Sequence, residues 1–458
     1  MSPTYHFAYV FERFPTFTQT FCVREVLELE RQGIRPLLFS IRDTRDEDLE
    51  DHFPKDLIER VHFLPGKAEL KAQFEALKKK DKLPQEVVLT LRHWGDAKDK
   101  SRVYEAIYVG LKMEELGVKH AHSHFAGVGA RACWWARQFF GITYSFTGHA
   151  NDIFEKTDFD VSLQKLMEDA AVVITVSDYT ARFLNSHFPQ CTNKVKRVYN
   201  GLDLAPFEAI ERKTEAPEML QVMSVGRLIE KKGFDDLIRA CGMVMVSEGA
   251  PKFRCVIAGD GPMDEELKAL IEETGTRDVV TLAGAKSQVE IKEMLGTTDV
   301  FALPCVTEKM GGKDNLPTVI MEAMAVGIPI VSTRLAGVPE MVVEGETGLL
   351  TDERRPEHFA DALLEMLKNG EMRAEYGAAG QERARELFAK EETAGSLVRY
   401  IASHGDFNRD SELKGFFGAF LAQRWRRFLR KWQRKAPSKY VLIERERRAA
   451  RKKSGKGS

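Results

Sequence analysis

The feature of this chain that most limits its fold is an alternation of short apolar segments with helical stretches, which occurs twice. In the first half we predict strands at residues 6–11, 35–40, 119–124, 142–146, 171–176 and 195–199. The alternation restarts after residue 205, with predicted strands at 220–225, 253–258, 279–282, 300–303 and 329–332. Such alternation predicts an α/β fold of two parallel sheets, each covered by helices on both faces. Ligands bind such sheets at the carboxyl ends of the strands, so we expect the site in a cleft between the halves.

The length and the placement of charge divide the chain further. At about 100–200 residues per domain, 458 residues are enough for two to four domains. We predict an N-terminal domain at 1–205, a C-terminal domain at 206–395, a crossover helix with a linker at 396–413 and a basic tail at 414–458. The net charge of −1 conceals this division, because the tail carries 16 lysines and arginines against two acids. The rest of the chain has a net charge of −15, and such asymmetry is typical of proteins that bind a polyanionic surface.

Residues 416–435 of the tail have the pattern of a basic amphipathic helix. Aromatic and leucine side chains fall on one stripe, and basic side chains occupy most of the remaining surface. This pattern predicts binding to an anionic membrane surface. The alternative is that the stripe packs on the body of the protein as a last helix. We expect no nucleic-acid partner, because no nucleic-acid module accompanies the tail and the body is acidic. Residues 444–458 have the composition of a disordered segment.

The six cysteines are scattered along the chain and form no Cys-x-x-Cys pair. Most of them lie in apolar segments, which predicts small buried side chains rather than disulfides or a zinc site. The N-terminus lacks the basic segment and uninterrupted apolar core of a signal peptide. No apolar run approaches the ~18 residues that a membrane-spanning helix needs. We therefore expect a cytoplasmic protein that contacts a membrane from its surface.

The first candidate site is a basic loop between a predicted strand and a predicted helix, at residues 224–233. Gly226 allows a tight turn there, and Arg227 and Lys232 extend from the same loop. An arginine can hold a phosphate through two N–H groups, and a lysine adds a point charge. The competing interpretation is a solvated basic turn, which is a common feature of protein surfaces.

A second glycine-rich turn, at residues 258–262, also follows a predicted strand directly. Gly259 and Gly261 permit positive φ and the close approach of a ligand. The alternative is an ordinary strand–helix turn in which Asp260 caps the helix. Both interpretations fit the sequence.

The strongest of these signals is a glycine pair followed by a predicted helix, at residues 311–325. Asp314, Asn315 and Pro317 mark the predicted start of the helix, where free N–H groups can bind phosphate or sugar oxygens. Asp314 and Glu322 are eight residues apart, slightly more than two turns, so we expect both on one side of the helix. Glu322 lies among apolar residues, and a lone buried carboxylate is costly, which favours a partner or a ligand. The alternative is that Asp314 only caps the helix and that Glu322 is solvated.

Histidines mark the carboxyl ends of two predicted strands in the first half. His149 follows the strand at 142–146 and is expected to face the cleft, where it can donate to a ligand oxygen or transfer a proton. The alternative is a loop histidine that caps a helix. The strand at 119–124 carries three histidines on one face, of which His124 lies nearest the cleft. We expect no metal site, because no carboxylate cluster accompanies these histidines.

Together these motifs resemble the retaining family-4 glycosyltransferases, whose GT-B architecture consists of two Rossmann-like domains. The resemblance covers roughly residues 5–400 and rests on several motifs in the family's order. In the family a Gly-Arg…Lys-Gly segment binds the donor diphosphate, which implies this role for Arg227 and Lys232 in the loop that begins at Gly226. The N-terminal domain would then bind the acceptor, and the C-terminal domain would bind the nucleotide sugar.

The segment from Asp314 to Glu322 resembles the family's Glu-x7-Glu motif. By that resemblance Glu322 would hold the ribose hydroxyls and Asp314 the donor sugar ring. The backbone amides of Asn315 and Leu316 would face the sugar and the phosphate. The sequence departs from the family at the first acid, which is Asp314 rather than the commoner glutamate.

Further site residues are implied by the same resemblance. His149 matches the family's active-site histidine near the transferred sugar. Apart from the resemblance, Gly259 and Gly261 are also donor-binding candidates, because their turn permits the close approach of a ligand. The loop at 14–21 is similar to the Pro-x-x-Ser/Thr-Glu-Thr-Phe loop of bacterial exopolysaccharide, or colanic-acid-type, transferases, with glutamine in place of the acid. That loop lies beside the acceptor in the family. The acceptor-side candidates are therefore Thr18, Gln19, Thr20 and His124.

The resemblance implies an enzyme that moves a hexose-type sugar from a nucleotide-diphosphate sugar to a lipid-linked or polysaccharide acceptor, with retention, at the cytoplasmic membrane face. No metal or other cofactor is expected, since Arg227, Lys232 and the helix start can stabilise the leaving diphosphate. One alternative is a nucleotide-sugar isomerase of the 2-epimerase type, which shares the two-domain architecture. It is disfavoured because the phosphate loop and the acid-x7-acid motif resemble those of transferases. The other alternative is a non-catalytic subunit that binds nucleotide sugar.

The tail generates the first prediction. We expect the full chain to float with anionic liposomes, and we expect a chain that ends at Ser411, which lacks the basic amphipathic segment, not to float with them. Residues 416–435 contain seven bases, and each base near an anionic surface contributes about 1 kcal/mol to binding. Neutral liposomes are the control, because they remove the electrostatic attraction. Equal flotation of both chains with anionic liposomes would contradict the membrane assignment.

Overall fold

Two parallel β-sheets account for the order of the elements in the computed structural model. The structure describes residues 4–45, 49, 53–94, 100–155, 157–212 and 218–406. The predicted tail at 414–458, with its amphipathic segment at 416–435, lies outside the described residues. The predicted α/β fold of two tandem parallel sheets is confirmed.

The first sheet has seven strands in the order β3-β2-β1-β4-β5-β6-β7, and all described pairs in it are parallel. Its strands are β1 Phe7–Arg13, β2 Pro36–Arg42, β3 His62–Phe63, β4 His120–His124, β5 Thr143–Gly148, β6 Val172–Thr175 and β7 Val195–Arg197. The helices of this half are α1 Thr20–Arg31, α2 Lys55–Glu59, α3 Lys67–Lys79, α4 Gln85–Trp94, α5 Lys100–Glu115, α6 Val128–Phe140, α7 Asn151–Phe154, α8 Leu163–Asp169 and α9 Asp178–His187.

The second sheet has six strands in the order β10-β9-β8-β11-β12-β13, again parallel throughout its described pairs. Its strands are β8 Leu220–Val225, β9 Phe253–Ala258, β10 Val280–Leu282, β11 Val300–Leu303, β12 Ile330–Thr333 and β13 Gly348–Thr351. The remaining helices are α10 Ala205–Glu208, α11 Phe234–Met245, α12 Asp264–Glu273, α13 Gln288–Gly296, α14 Thr318–Val326, α15 Val338–Met341, α16 Pro356–Lys368, α17 Gly370–Leu387 and α18 Lys390–His404.

Two strands of the structure have no counterpart among the predicted ones. β3 is only two residues long and lies in the charged stretch between β2 and α5. β13 begins at Gly348 and is four residues long, so it offers little of the β-branched and aromatic run that marks a strand. Both are edge strands, where a short segment completes a sheet that its neighbours have already defined.

The chain returns from the second half to the first before its last described helix. The backbone of Leu202 bonds to Phe388 at 2.7 Å and to Lys390 at 3.1 Å, which fixes the crossing between α17 and α18. α18 then packs against α1 and β6 of the first half. The structure therefore places the crossing at residues 388–390, earlier than the residue 396 at which the predicted crossover segment begins. The cause is that α17 ends at Leu387, where no proline or glycine announces a stop.

Each sheet has its own hydrophobic core between strands and helices. All six cysteines are buried and free, as predicted for small apolar side chains. In the part of the chain that the structure describes, no helix combines the length and the apolar character needed to cross a bilayer.

Candidate active site

The candidate site lies where the carboxyl ends of the two sheets approach each other. His149 follows β5 of the first sheet, and Arg227 follows β8 of the second. The side-chain amide of Asn315, in the loop before α14, donates to the backbone oxygen of His149 at 2.6 Å. This contact places His149 and the loop that contains Asp314 and Asn315 in a common cleft.

Asn315 is buried, and its side chain bonds only to residues of the first half among the described residues. Its Nδ2 also donates to the hydroxyl of Thr180 at 2.8 Å, and its Oδ1 accepts from the hydroxyl of Ser177 at 2.8 Å. The sequence predicted a role for the backbone amide of Asn315, and the side-chain role went unnoticed. No local pattern announces it, because the partners lie 135 to 166 residues away.

A carboxylate adds a second link between the halves. Glu340 of α15 accepts the backbone N–H groups of Asp178 and Tyr179, at 2.7 and 2.6 Å, and so caps the start of α9 from the opposite half. The hydroxyl of Tyr199 donates to the same carboxylate at 3.2 Å. Free N–H groups at a helix start attract an anion, which explains why the acid lies there. No sequence signal marks Glu340, since the helix that it caps is distant in sequence.

The predicted phosphate loop brings two of the site residues together. Lys232 forms an ion pair with Asp314, and their side chains are 13% and 22% exposed. Burial opposes the charge of Lys232, but the neighbouring Asp314 raises the pKa of the lysine. Arg227 is exposed and bonds to no other described side chain. Of the two predicted phosphate contacts, Lys232 is therefore tethered by Asp314, and Arg227 has no described side-chain partner.

The predicted helical relation between Asp314 and Glu322 is wrong. α14 begins at Thr318, and Pro317 before it has an extended backbone, with φ −61° and ψ 110°. Asp314, Asn315 and Leu316 therefore precede the helix, and an eight-residue spacing across a loop does not place two side chains on one helical face. The backbone N–H groups of Asn315 and Leu316 donate to no other described residue, so they are available to an anion or a sugar oxygen.

Glu322 behaves as predicted for a carboxylate in an apolar helix, where burial makes its charged form unfavourable. Burial raises its pKa to about 7, against the opposing charges of Arg24 and Lys292. Arg24 belongs to α1 of the first half, and burial lowers its own pKa while Glu322 opposes that shift. The carboxylate therefore faces a base from across the cleft.

Gly259 and Gly261 are needed for contact with protein backbone. A Cβ atom on Gly259 would lie 1.9 Å from the carbonyl oxygen of Gly226, and one on Gly261 would lie 2.6 Å from that of Leu228. Backbone hydrogen bonds tie the same two loops, including Leu228 N to Asp260 O at 2.7 Å. The close approach that the sequence predicts is present, but the approaching group is the phosphate loop. These glycines therefore support that loop by shape.

His149 is held by its own turn. The carboxylate of Asp152 accepts the backbone N–H groups of His149 at 3.1 Å, Ala150 at 2.8 Å and Ala126 at 2.8 Å. Burial raises the pKa of Asp152, although these three amides oppose the shift. The turn after β5 is thereby bound to the turn after β4. This brings the ring of His149, after β5, close to the ring of His124 at the end of β4.

The three histidines of β4 pair in register with hydroxyl-bearing residues of β5. His120 lies opposite Thr143, His122 opposite Ser145, and His124 opposite Thr147. The nitrogens of His120 and His122 bond to these hydroxyls at 2.7 to 3.0 Å, and burial lowers the pKa of both rings. His124 differs, because its ring bonds to Glu25 and His149. Among the described residues no group of three or more His, Cys, Asp or Glu side chains could hold a metal ion.

The acceptor-side candidates lie at the start of α1. Residues 17–19 form a 3-10 turn after β1, and Thr20 begins the helix. Gln19 and Thr20 are partly exposed, whereas the side chain of Thr18 lies outside what the structure describes. His124 is buried and is not an exposed acceptor contact.

Two acids in this region carry the same sequence signal, an acid among the apolar residues of a helix, and only Glu322 is among the predicted site residues. Glu322 is an acid in an apolar helix, and Glu25 likewise interrupts the apolar face of α1, between the buried Cys22 and Val26. Its partner on β4 is 99 residues away. The misplaced acid was visible in the sequence, but its partner was not.

Two family models divide the chain between its two sheets. One described as "Glycosyltransferase Family 4" matches residues 18–206, and one described as "Glycosyl transferases group 1" matches residues 207–383. The chain belongs to the family-4-type glycosyltransferases. In this family-4 protein the boundary between the matches lies between β7 and β8, where one sheet ends and the next begins.

Curated relatives of this family-4 protein include enzymes named for exopolysaccharide synthesis. WcaL of Salmonella typhimurium, named for colanic acid biosynthesis, is 35% identical over 242 residues, which are 52% of this chain and 57% of the relative. The amylovoran biosynthesis glycosyltransferase AmsK of Erwinia amylovora is 39% identical over 152 residues, or 33% of this chain and 37% of that one. The chain spans about half the length of the curated relatives it matches.

Solved structures share the fold at low sequence identity. A glycosyltransferase from Rickettsia africae aligns over 88% of this chain and 99% of its own, with a TM-score of 0.66 and 12% identity. Anabaena Alr3699/HepE in complex with UDP aligns over 87% and 100%, with a TM-score of 0.62 and 18% identity. These likenesses concern the fold, which is GT-B.

The bonds of Asn315 generate a prediction about stability. Asn315→Ala removes three buried side-chain hydrogen bonds and leaves their partners unsatisfied, so we expect the free energy of unfolding to fall by about 2–4 kcal/mol. Asn315→Asp should be at least as harmful, because a carboxylate oxygen would face the backbone oxygen of His149, which can only accept, and a charge would be buried. Urea unfolding measures both effects. Asn193→Ala, at an exposed site, is the matched control and should change stability by less than about 0.5 kcal/mol. Equal stability of the Asn315 and Asn193 variants would contradict the interdomain role.

Proposed function

We propose that this protein is a retaining glycosyltransferase that moves a hexose-type sugar from a nucleotide-diphosphate sugar to a lipid-linked or polysaccharide acceptor at the cytoplasmic membrane face. The observation that supports it most is the convergence of Lys232, Asp314 and His149 on one cleft, with Asn315 joining the two halves. Cations on one side and a histidine on the other suit a reaction in which a diphosphate leaves a sugar.

The donor diphosphate binds to the phosphate loop in this proposal. Arg227 can grip two oxygens through its planar N–H groups, and Lys232 supplies a charge that Asp314 already orients. The backbone N–H groups of Asn315 and Leu316, which donate to no other described residue, add donors on the same side. Preorganised donors of this kind stabilise the charge that develops on the leaving group, which is the main electrostatic task of the reaction. With these donors in place, we expect no metal ion.

The remaining parts of the donor have their own partners. Glu322 accepts from the ribose hydroxyls, and Asp314 accepts from the donor sugar ring. Asp314 is one methylene shorter than the commoner glutamate, so its pairing with Lys232 also sets how far it reaches. His149 lies beside the transferred sugar. These roles follow the family resemblance, and the burial of Glu322 among apolar neighbours supports its role, since a carboxylate there needs a partner.

In the proposed reaction the acceptor hydroxyl attacks the anomeric carbon on the face from which the diphosphate leaves. The new carbon–oxygen bond forms as the bond to the β-phosphate oxygen breaks, and that oxygen takes the proton of the hydroxyl. The configuration at the anomeric carbon is therefore retained. Closure of the two halves excludes water and limits hydrolysis of the donor.

The names of relatives guide the choice of acceptor and donor. WcaL and AmsK are named for the synthesis of colanic acid and amylovoran. A further relative, 31% identical over 229 residues, is named as a GDP-mannose-dependent phosphatidylinositol monomannoside mannosyltransferase of Mycobacterium tuberculosis. These names support a polysaccharide or lipid-linked acceptor, and a membrane tether in the tail would bring the enzyme to it. A donor screen must include UDP-, GDP- and ADP-sugars.

The phosphate loop generates a prediction about catalysis. Arg227→Ala and Lys232→Ala should each lower kcat/KM by about 100-fold or more, because removal of one preorganised donor to a developing charge has that effect. Release of nucleotide from each donor of the screen, with a lipid-linked or glycan acceptor extract, measures the rates. Lys231→Ala is the matched control, since it removes the same charge from the neighbouring position of the loop. Thermal unfolding verifies that all three variants are folded.

Three outcomes would contradict this proposal. Near wild-type turnover of both Arg227→Ala and Lys232→Ala at saturating donor would contradict the assigned phosphate contacts. Sugar interconversion without nucleotide release, in the absence of acceptor, would favour the isomerase. Donor binding without turnover in any acceptor extract would favour a non-catalytic subunit.

Glu322 generates a prediction about pH. Its pKa of about 7 means that much of it is protonated below neutral pH, whereas an acceptor for ribose hydroxyls must be ionised. Affinity for a nucleotide sugar should therefore fall by up to about tenfold from pH 7 to pH 6, and level off above pH 8. Calorimetry with UDP-glucose and GDP-mannose tests this, because their diphosphates do not titrate in that range. Glu322→Gln should abolish the dependence, while Glu266→Gln, an exposed acid, should keep it. An unchanged pH profile in Glu322→Gln would contradict the ribose role.

A further inference from the structure

A chain of hydrogen bonds links the first strand and the first helix to His149. The hydroxyl of Tyr9 donates to Oε1 of Glu25. The same oxygen lies 2.9 Å from Nε2 of His124, and Nδ1 of His124 lies 3.1 Å from Nε2 of His149. Tyr9, His124 and His149 are buried, whereas Glu25 is partly exposed, with a side chain that is 19% exposed.

The contact between two imidazoles limits the protonation states of both rings. One of the two facing nitrogens must carry a proton and the other must not. Glu25 accepts only, so Nε2 of His124 is the nitrogen that donates to it. His124 can then donate from Nδ1 to His149 only as a cation. If His124 is neutral, its single proton is on Nε2, so Nδ1 must accept from Nε2–H of His149. A neutral His149 then has no proton on Nδ1.

The charges around the pair favour the first state. Burial opposes protonation of His124, but Cys22 and Glu25 raise the pKa of its ring. Burial also raises the pKa of Cys22, so its thiol is uncharged at neutral pH and acts on His124 as a hydrogen-bond partner. Glu25 is the carboxylate that pairs with the ring. Burial, and then the charge of His124, lower the pKa of His149. Further titratable groups on adjacent elements include Tyr9 on β1, Arg24 on α1, His122 on β4 and Asp152 on α7. Burial keeps the phenol of Tyr9 protonated and the imidazole of His122 neutral, and it raises the pKa of Asp152.

Packing holds the rings in this arrangement. The rings of Phe21 and Phe125 flank His149, with centroids 4.9 and 4.4 Å away, and Phe11 stacks on His124 at 5.8 Å. The backbone of His149 is fixed by Asp152 on one side and by Asn315 on the other. A flip that exchanged the two nitrogens of His149 would have to displace these aromatic neighbours.

We propose that Glu25 and His124 are positioning residues, which hold His149 neutral with its single proton on Nδ1. The remaining ring nitrogen bonds to no other described residue, so an Nδ1–H group is available to an oxygen of the bound substrate. This inference rests on the proposed function, in which His149 lies beside the transferred sugar. Glu25 and His124 thus act through His149 and do not touch the substrate themselves. Tyr9 supports them by holding the carboxylate of Glu25.

The arrangement predicts a loss of activity on the alkaline side. The ion pair is intact below the pKa of His124 and is lost as the pH rises through it, because His124 then no longer donates to His149. Glu25→Gln keeps the shape and an acceptor for His124 but removes the anion, so the pKa of His124 should fall. We expect the alkaline decline in kcat to move at least one pH unit lower, with kcat at pH 8.5 reduced about tenfold and the donor KM changed less.

Two further variants separate positioning from structural damage. His124→Asn retains an N–H donor near the place of Nδ1 but cannot titrate, so it should keep more activity at pH 8.5 than Glu25→Gln and show no alkaline decline from this group. His120→Gln is the matched control, since His120 is a buried histidine of the same strand whose ring bonds only to hydroxyls among the described residues. It should lower stability and leave the alkaline limb where it is. A wild-type alkaline limb in both Glu25→Gln and His124→Asn would overturn the proposal.

A measurement independent of turnover tests the same ion pair. The urea midpoint of the full-length protein should fall between pH 7 and pH 10, because a raised pKa of His124 stabilises the folded state below it and that contribution is lost above it. Glu25→Gln should flatten this slope, and His120→Gln should retain it. If no sugar is transferred under any condition, the proposed function fails while the slopes still decide the ion pair. Parallel slopes in wild type and Glu25→Gln would overturn it whatever the activity.

Discussion

The cleft depends on one buried amide. The side chain of Asn315 cannot be left unsatisfied without a cost of several kcal/mol, and all its described partners come from the other half of the molecule. The amide is therefore satisfied only when the carboxyl ends of the two sheets meet. Because one of its bonds goes to the backbone of His149, the loop that is proposed to hold the donor sugar also sets the position of that histidine.

Buried charge organises the residues around this amide. Lys232 is paired with Asp314 in the second half, and His124 with Glu25 in the first. In each pair, the more deeply buried group would carry a large desolvation penalty if it were alone. That penalty holds the two side chains together even when no ligand is bound. Among the described residues Glu322 has no bonded side-chain partner, and only the charges of Arg24, from across the cleft, and Lys292 oppose the rise of its pKa. Pairs that are already satisfied can hold a geometry, whereas the unsatisfied carboxylate is the group that gains most from a ligand.

The sequence predicted the architecture well because parallel sheets announce themselves through a repeated local pattern. The strands it missed, β3 and β13, are short edge strands whose pairing is decided by their neighbours. At the site, the types of residue were visible, but their relations were not. The spacing of Asp314 and Glu322 suggested one helix face, yet Pro317 delays the helix to Thr318. The partners of Asn315, Glu340 and Glu25 lie far away in sequence, where periodicity and spacing carry no information.

The contact between the two glycine loops of the second half means that the two loops must evolve together. A Cβ on Gly259 would lie 1.9 Å from the backbone oxygen of Gly226, so the turn at 258–262 and the phosphate loop cannot change shape independently. A loop grafted from another member of the family would carry a backbone path fitted to a different neighbour. Exchange of donor preference between such proteins therefore requires both segments to be transplanted as one block, and natural variants of one loop should be inherited with matching variants of the other.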